Sequence, residues 1–270
     1  MRSGKLKTRR YKVRRSGRGW VILLALGLLL LAGAYFFRSG QDLLLMEPTP
    51  TLSPQERSGD ERTLTLPGQT WYALQLGVFD TENSARQLAE RFMSRGAGGY
   101  VTNDSPYRVL AAAYETRADA QAVLSQLKAL HGVEAYVHEM HTDEIVVKVS
   151  GQAAQLTALE DAYDTLSQTA DYLSSLSQGL DQHTMEEESI RAALRSQKNT
   201  LSALEERLQK LFGENAHAAV KEVRQMLSAL SDGLTEAASA QGEVLLGARI
   251  KHCQLLCIHR LGAYAALLAK

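Results

Sequence analysis

Cysteine is almost missing from this chain of 270 residues: there are two, Cys253 and Cys257, both near the end. A pair so placed makes no disulfide framework. One helical turn apart, the two have poor geometry for a bond to each other and read as small buried apolar side chains. His252 and His259 flank them, but on a helix the four side chains diverge, so one ion cannot collect them. His138-Glu-Met-His141 brings two histidines close with no third ligand nearby in sequence, which reads as an exposed pair. No paired carboxylates in a cleft, zinc triad or Ser/His or Cys/His pair falls in a segment large enough for a separate catalytic domain, and Glu186-Glu-Glu188 reads as a solvated helix face. The expectation is a protein that is not an enzyme and holds no metal and no cofactor.

Net charge is also absent, with 30 Lys and Arg against 30 Asp and Glu. The balance hides an asymmetry. Residues 1–19 carry Arg2, Lys5, Lys7, Arg9, Arg10, Lys12, Arg14, Arg15 and Arg18 with no acid, so the remainder is net acidic. Trp20 to Phe37 follows as an uncharged apolar run, close to the shortest that spans about 30 Å of hydrocarbon. Trp20 and Tyr35-Phe-Phe37 sit at its ends, as interfacial aromatics do, and the basic residues in front place the N-terminus in the cytoplasm. The expectation is a single-pass anchor in the cell membrane with everything from Arg38 onward outside. The competing reading is a signal peptide cleaved near Ala32-Gly-Ala34. The long basic region and the continuation of the apolar run favour the anchor.

Proline is scarce, and four of five (Pro48, Pro50, Pro54, Pro67) crowd between Arg38 and Gln69. With the serines, glycines and charges around them, they cannot bury enough to offset their ordering entropy, so residues 38–69 read as a tether.

Beyond the tether one pattern occurs twice. Tyr72-Ala-Leu-Gln-Leu-Gly-Val-Phe79 runs into Thr81 and helical Glu82–Arg95. Tyr107-Arg-Val-Leu-Ala-Ala-Ala-Tyr114 runs into Thr116 and helical Arg117–Leu130. Moving the chain by 35 positions lays Tyr72 on Tyr107, Phe79 on Tyr114, Thr81 on Thr116, Ala85 on Ala120 and Leu88 on Val123. Each copy reads as strand then helix, and each is followed by a short strand-like run, Tyr100–Thr102 and Glu134–His138. The plan is β-α-β-β-α-β, a split, ferredoxin-like arrangement. Leu74, Leu76 and Val78 alternate toward one face, where two helices with apolar stripes cover them. The opposite face, carrying Ala73, Gln75, Gly77, Arg108 and Leu110, is left without a helix and is expected to be the binding surface. Recognition of RNA needs aromatics on the middle strands and a basic face. Gln75, Gly77, Leu110 and Ala112 stand there instead, so no nucleic-acid partner is expected.

The run Tyr72–Phe79, followed by Asn83-Ser-Ala-Arg-Gln-Leu-Ala89, Tyr107-Arg-Val109 and the second strand–helix, resembles a SPOR domain (sporulation-related repeat). The resemblance implies binding to peptidoglycan at the septum, to glycan strands stripped of stem peptides. It places Gln75 in the glycan groove and Arg108 at its edge. Gly77 and Leu110 share the expected face, and Tyr107, Tyr114 and Tyr136 are candidates for stacking on sugar rings. The chain departs from the family at Val78, where Ser is common, and at Ala112-Ala-Tyr114, where Gly-Pro-Phe is common. An alanine-rich strand there removes polar groups that could meet sugar hydroxyls.

Ile145–Val149 is β-branched and either adds an edge strand or leads into the next domain. From Gln152 the pattern becomes long helices with heptad-like seams: Leu156, Leu159, Tyr163, Leu166, Ala170 and Leu173, then Ile190 to Leu211, then Val220 to Val244. Gly179 with Thr184-Met-Glu-Glu187, and Phe212-Gly-Glu-Asn215, mark the breaks. Three or four helices form an antiparallel bundle, either purely structural, a docking surface for another envelope protein, or a self-association surface. The chain therefore divides into a basic tail (1–19), a transmembrane helix (20–37), a linker (38–69), an α+β SPOR-like domain (70–141), a connecting strand (142–150) and an all-α bundle (151–270). The functional expectation is a membrane-anchored protein that binds peptidoglycan glycan strands in division or sporulation. The alternative is an anchored assembly protein whose bundle binds an envelope partner and whose SPOR-like domain no longer binds glycan.

Overall fold

Thr81 and Thr116, the threonines that recur between the two copies, each end a strand and start a helix. Both have extended backbone, and their hydroxyls accept from the amides of Ser84 and Asp119, at 3.4 and 3.1 Å, satisfying donors that the first turn leaves free. In this computed structural model, residues 60–268 are described. The basic tail, the apolar run and most of the tether lie outside the described residues. Among the described residues no helix is long and apolar enough to cross a membrane.

Strands are β1 (Asp60–Leu66), β2 (Gln69–Phe79), β3 (Tyr100–Val101), β4 (Tyr107–Tyr114), β5 (Tyr136–Thr142) and β6 (Ile145–Gly151). Helices are α1 (Glu82–Met93), α2 (Arg117–His131), α3 (Ala153–Asp181), α4 (Glu187–Phe212), α5 (Ala218–Ser239) and α6 (Glu243–Leu268). Four strands form an antiparallel sheet in the order β3-β4-β2-β5. The two repeat strands β2 and β4 are its centre, as the split plan requires. Leu74, Leu76, Val109 and Ala111 meet Ala85, Leu88, Ala89, Ala120 and Val123 on one face.

The last part of the expected tether is a strand. Asp60–Leu66 pairs antiparallel with Ile145–Gly151, from Asp60 opposite Gly151 to Leu66 opposite Ile145. Thr63-Leu64-Thr65-Leu66 has the period of two that a half-buried strand needs, and Leu64 and Leu66 are buried against the helices. This pair prolongs the β2–β5 pair beyond Pro67-Gly68. The two chains come close there: a Cβ on Gly68 would lie 2.9 Å from the Glu144 amide nitrogen, so only glycine fits.

The four helices close a bundle. Successive helices pack on each other, and α6 returns to α3. Heptad leucines such as Leu166, Leu194, Leu201 and Leu227 fill it. Two details differ from the sequence reading. Helix α4 starts after Glu186 with no side-chain cap; the Thr184 hydroxyl bonds the Gly179 carbonyl instead. The third helical run, read as continuous from Val220 to Val244, breaks at Ala240–Gly242. Gly233 lies within α5, where a Cβ would sit 2.9 Å from Cys253 Sγ on α6. Cys253, in this seam, and Cys257, whose Sγ donates to the Leu166 carbonyl of α3 at 3.6 Å, are free and buried, and burial pushes both thiols up to about 12.

Candidate functional site

The second face of the sheet is not bare. Helix α6 lies across it, and Trp71, Ala73, Tyr100, Leu110 and Ala113 join the bundle's hydrophobic core. Ala73 and Leu110 are wholly buried. The expectation of an open face carrying Ala73 and Leu110 is therefore wrong, and Leu110 offers nothing to a ligand.

The departure from the family pattern supplies the reason. A helix can approach a sheet closely only where side chains are small, and Ala113 of β4 beside Ala73 of β2 makes such a floor. At Gly98 a Cβ would meet the backbone of His252 at 3.0 Å, and at Gly262 the Thr142 hydroxyl at 3.2 Å. Polar groups finish the seam. His252 Nδ1 donates to the Gly98 carbonyl at 2.9 Å, Gln254 Nε2 to the Ala113 carbonyl at 3.3 Å, and the Tyr100 hydroxyl meets His259 Nδ1 at 3.1 Å. Ala113, one of the alanines that remove sugar-binding groups, is also one that seats the helix.

Register also moves residues between faces. The β2–β4 ladder slips twice, between Ala73 and Gln75 and between Gln75 and Gly77. Each slip is a bulge, and after the second the side-chain alternation is inverted. Gly77 turns toward α1, where a Cβ would lie 2.9 Å from the Phe79 ring and 3.1 Å from Leu88. Tyr107 packs on the same side, with Ala85 and Ala89. Val78, expected among the helices, turns outward and is 44% exposed. Gly77 and Tyr107 thus stand on the face away from the other candidates.

Tyr114 packs on the side of α2 with Leu74 and Ala120, but Gln75, Arg108 and Tyr136 do come together, at the end of the sheet that α6 leaves uncovered. Arg108 Nη1 donates to Gln75 Oε1 at 2.9 Å. Tyr136 stands directly across from Gln75 on β5 and is 69% exposed. Two further residues share this strip, Val78 and His138. His138 was legible as the next position of the Tyr136–His138–Met140 alternation. Val78 was not, since no local signal marks a bulge. Burial, and then the Arg108 guanidinium, hold His138 below its ordinary pKa and favour the neutral ring. The strip therefore offers a cation, an amide whose oxygen is engaged and whose NH₂ can donate, a neutral imidazole, and two apolar or aromatic surfaces. Such a mixture suits an uncharged ligand with hydroxyls and amides on an apolar frame.

Residues 72–138 match the family model described as SPOR domain, from Tyr72 at the start of the repeat to His138 in the strip. The chain carries a SPOR domain, and such domains are non-catalytic modules that bind peptidoglycan and occur in division proteins. The match leaves out β1, β6 and the whole bundle, the covering helix included. No curated protein and no solved structure matches the chain.

Proposed function

We propose that this SPOR domain binds glycan strands of peptidoglycan that have lost their stem peptides, and that it does so on the strip of Gln75, Val78, Arg108, Tyr136 and His138. The observation that carries the reading is the Arg108–Gln75 hydrogen bond beside an exposed Tyr136, at the one end of the sheet not roofed by α6. Arg108 holds the Gln75 amide in one orientation, which leaves its NH₂ to donate to a sugar hydroxyl or acetamido oxygen. Tyr136 and Val78 supply apolar contact for the ring faces. In this reading the apolar run 20–37 anchors the chain in the membrane, residues 38–59 span the gap to the wall, and the bundle is carried to sites of division or sporulation.

The covered face favours a second reading, an anchored assembly protein whose SPOR domain serves as a platform for α6 and binds no glycan. Retention of the full chain on amidase-treated and on untreated cell walls separates the two. Stronger retention on the amidase-treated wall, reduced by Arg108→Ala, supports glycan binding. Equal and negligible retention on both supports the platform.

A further inference from the structure

Several cavities lie along the seam between the SPOR domain and the bundle, and one of them continues the strip. Tyr136, His138 and Met140 point to one face of β5, because side chains two apart share a side. From Tyr136 to Met140 is about 13 Å along the strand. At Met140 the strip meets a cavity of about 440 Å³, large enough for a small ligand. Asn103 and Asp104 of the β3–β4 loop form one wall, Met140 and Thr142 the floor, and Ile258 and His259 of α6 the other wall. Asn103 follows Thr102, whose hydroxyl accepts from the Arg108 amide at 2.9 Å, so loop and strip are tied together.

We propose that this cavity is a second part of the glycan site, built jointly by the SPOR domain and α6, and that the strand runs along β5 from Tyr136 into it. The inference rests on the glycan-binding reading above. The chemistry of the lining fits a pyranose with an acetamido group: an amide at Asn103, a carboxylate at Asp104, a hydroxyl at Thr142, and apolar atoms of Met140 and Ile258. His259 meets Tyr100 through Nδ1, which leaves Nε2 for a ligand. Helix α6 then has two roles on one sheet: it closes the middle and makes a wall for what remains. Its departure from the surface is not part of the scheme, because it would bare Trp71, Tyr100 and Leu110 to water.

Ala263 lines the same cavity and is exposed, so a larger side chain there fills the space without disturbing the core. In the full chain, Ala263→Phe is expected to lower retention on denuded glycan about tenfold, equivalent to about 1.4 kcal/mol. Ala192→Phe, the same change at an exposed position of α4, is expected to leave it unaltered. Wild-type retention by Ala263→Phe overturns the inference and leaves the strip intact. A wild-type chain that ignores denuded glycan removes the binding reading and this one together. Asn103→Ala, on the exposed loop, decides the matter if circular dichroism shows that Ala263→Phe misfolds.

Discussion

Arg108 and Gln75 are joined across neighbouring strands, Nη1 to Oε1 at 2.9 Å, and Gln75 is only 9% exposed. The amide is thus held by the guanidinium rather than offered freely to solvent. Gln75→Ala removes both a ligand group and the partner of Arg108. A stability loss of about 0.5–1.5 kcal/mol is expected, with wall retention clearly reduced. Arg108→Lys keeps the charge but loses the planar fork, so it is expected to lower retention as well. Thermal denaturation beside a wall pull-down checks both. Retention by Gln75→Ala at the wild-type level places the glycan elsewhere.

Tyr136 is the converse case. Its ring is largely in solvent and belongs to no core. Tyr136→Ala is expected to change stability by less than about 0.5 kcal/mol while weakening glycan binding. Tyr136→Phe keeps the ring and is expected to bind nearly as wild type. If the alanine variant binds normally, stacking contributes nothing here.

The SPOR domain and the bundle share a core, so neither is expected to behave as an independent module. A fragment of residues 70–141 would expose Trp71, Tyr100, Leu110 and Ala113. It is expected to bind a hydrophobic dye and to self-associate on gel filtration, unlike the longer chain. In the full chain, Leu110→Ala is expected to cost about 2–5 kcal/mol. A monomeric, dye-negative fragment would show that α6 adds little to the sheet.

The seam also sets a direction for pH dependence. Burial holds His252 and His259 below their ordinary pKa of 6.5, against the Gly98 carbonyl and Glu236 at His252 and Asp104 at His259, with Arg249 and Arg260 acting the same way as burial. The folded state therefore binds fewer protons than the unfolded state just below pH 6.5. Stability is full above that value and falls as the pH drops through it. Asp171, raised by burial, works in the opposite sense at lower pH. Tm is expected to fall between pH 7.5 and 5, and less so for His252→Asn combined with His259→Gln. An unchanged slope in the double variant assigns the effect to other groups.

The repeat carried its fold openly. Thr81 and Thr116 cap helices, and the apolar spacing after each gives α1 and α2, because those features are local and periodic. Strand β1 left a weaker trace: the Thr63–Leu66 alternation is short and stands beside prolines, and its partner lies beyond the whole domain at Ile145–Gly151. The roof over the sheet left almost none. Periodicity tells that α6 is apolar, not where it docks, and the only hint was an oddity, Ala112-Ala-Tyr114 in place of the family's residues, of which Ala113 lies under the helix. Of the site, Gln75, Arg108 and Tyr136 could be read from the alternation. Gly77 and Val78 could not, since the bulges that exchange their sides depend on how β2 and β4 slide past each other.

The pairing of Asp60–Leu66 with Ile145–Gly151 has a mechanical consequence. Asp60 lies opposite Gly151, two residues before α3 begins, so the incoming chain is clipped at the joint between the two lobes. Tension drawn through the amino-terminal side would act first on this clip, before it reaches the ligand strip at the far end of the ribbon.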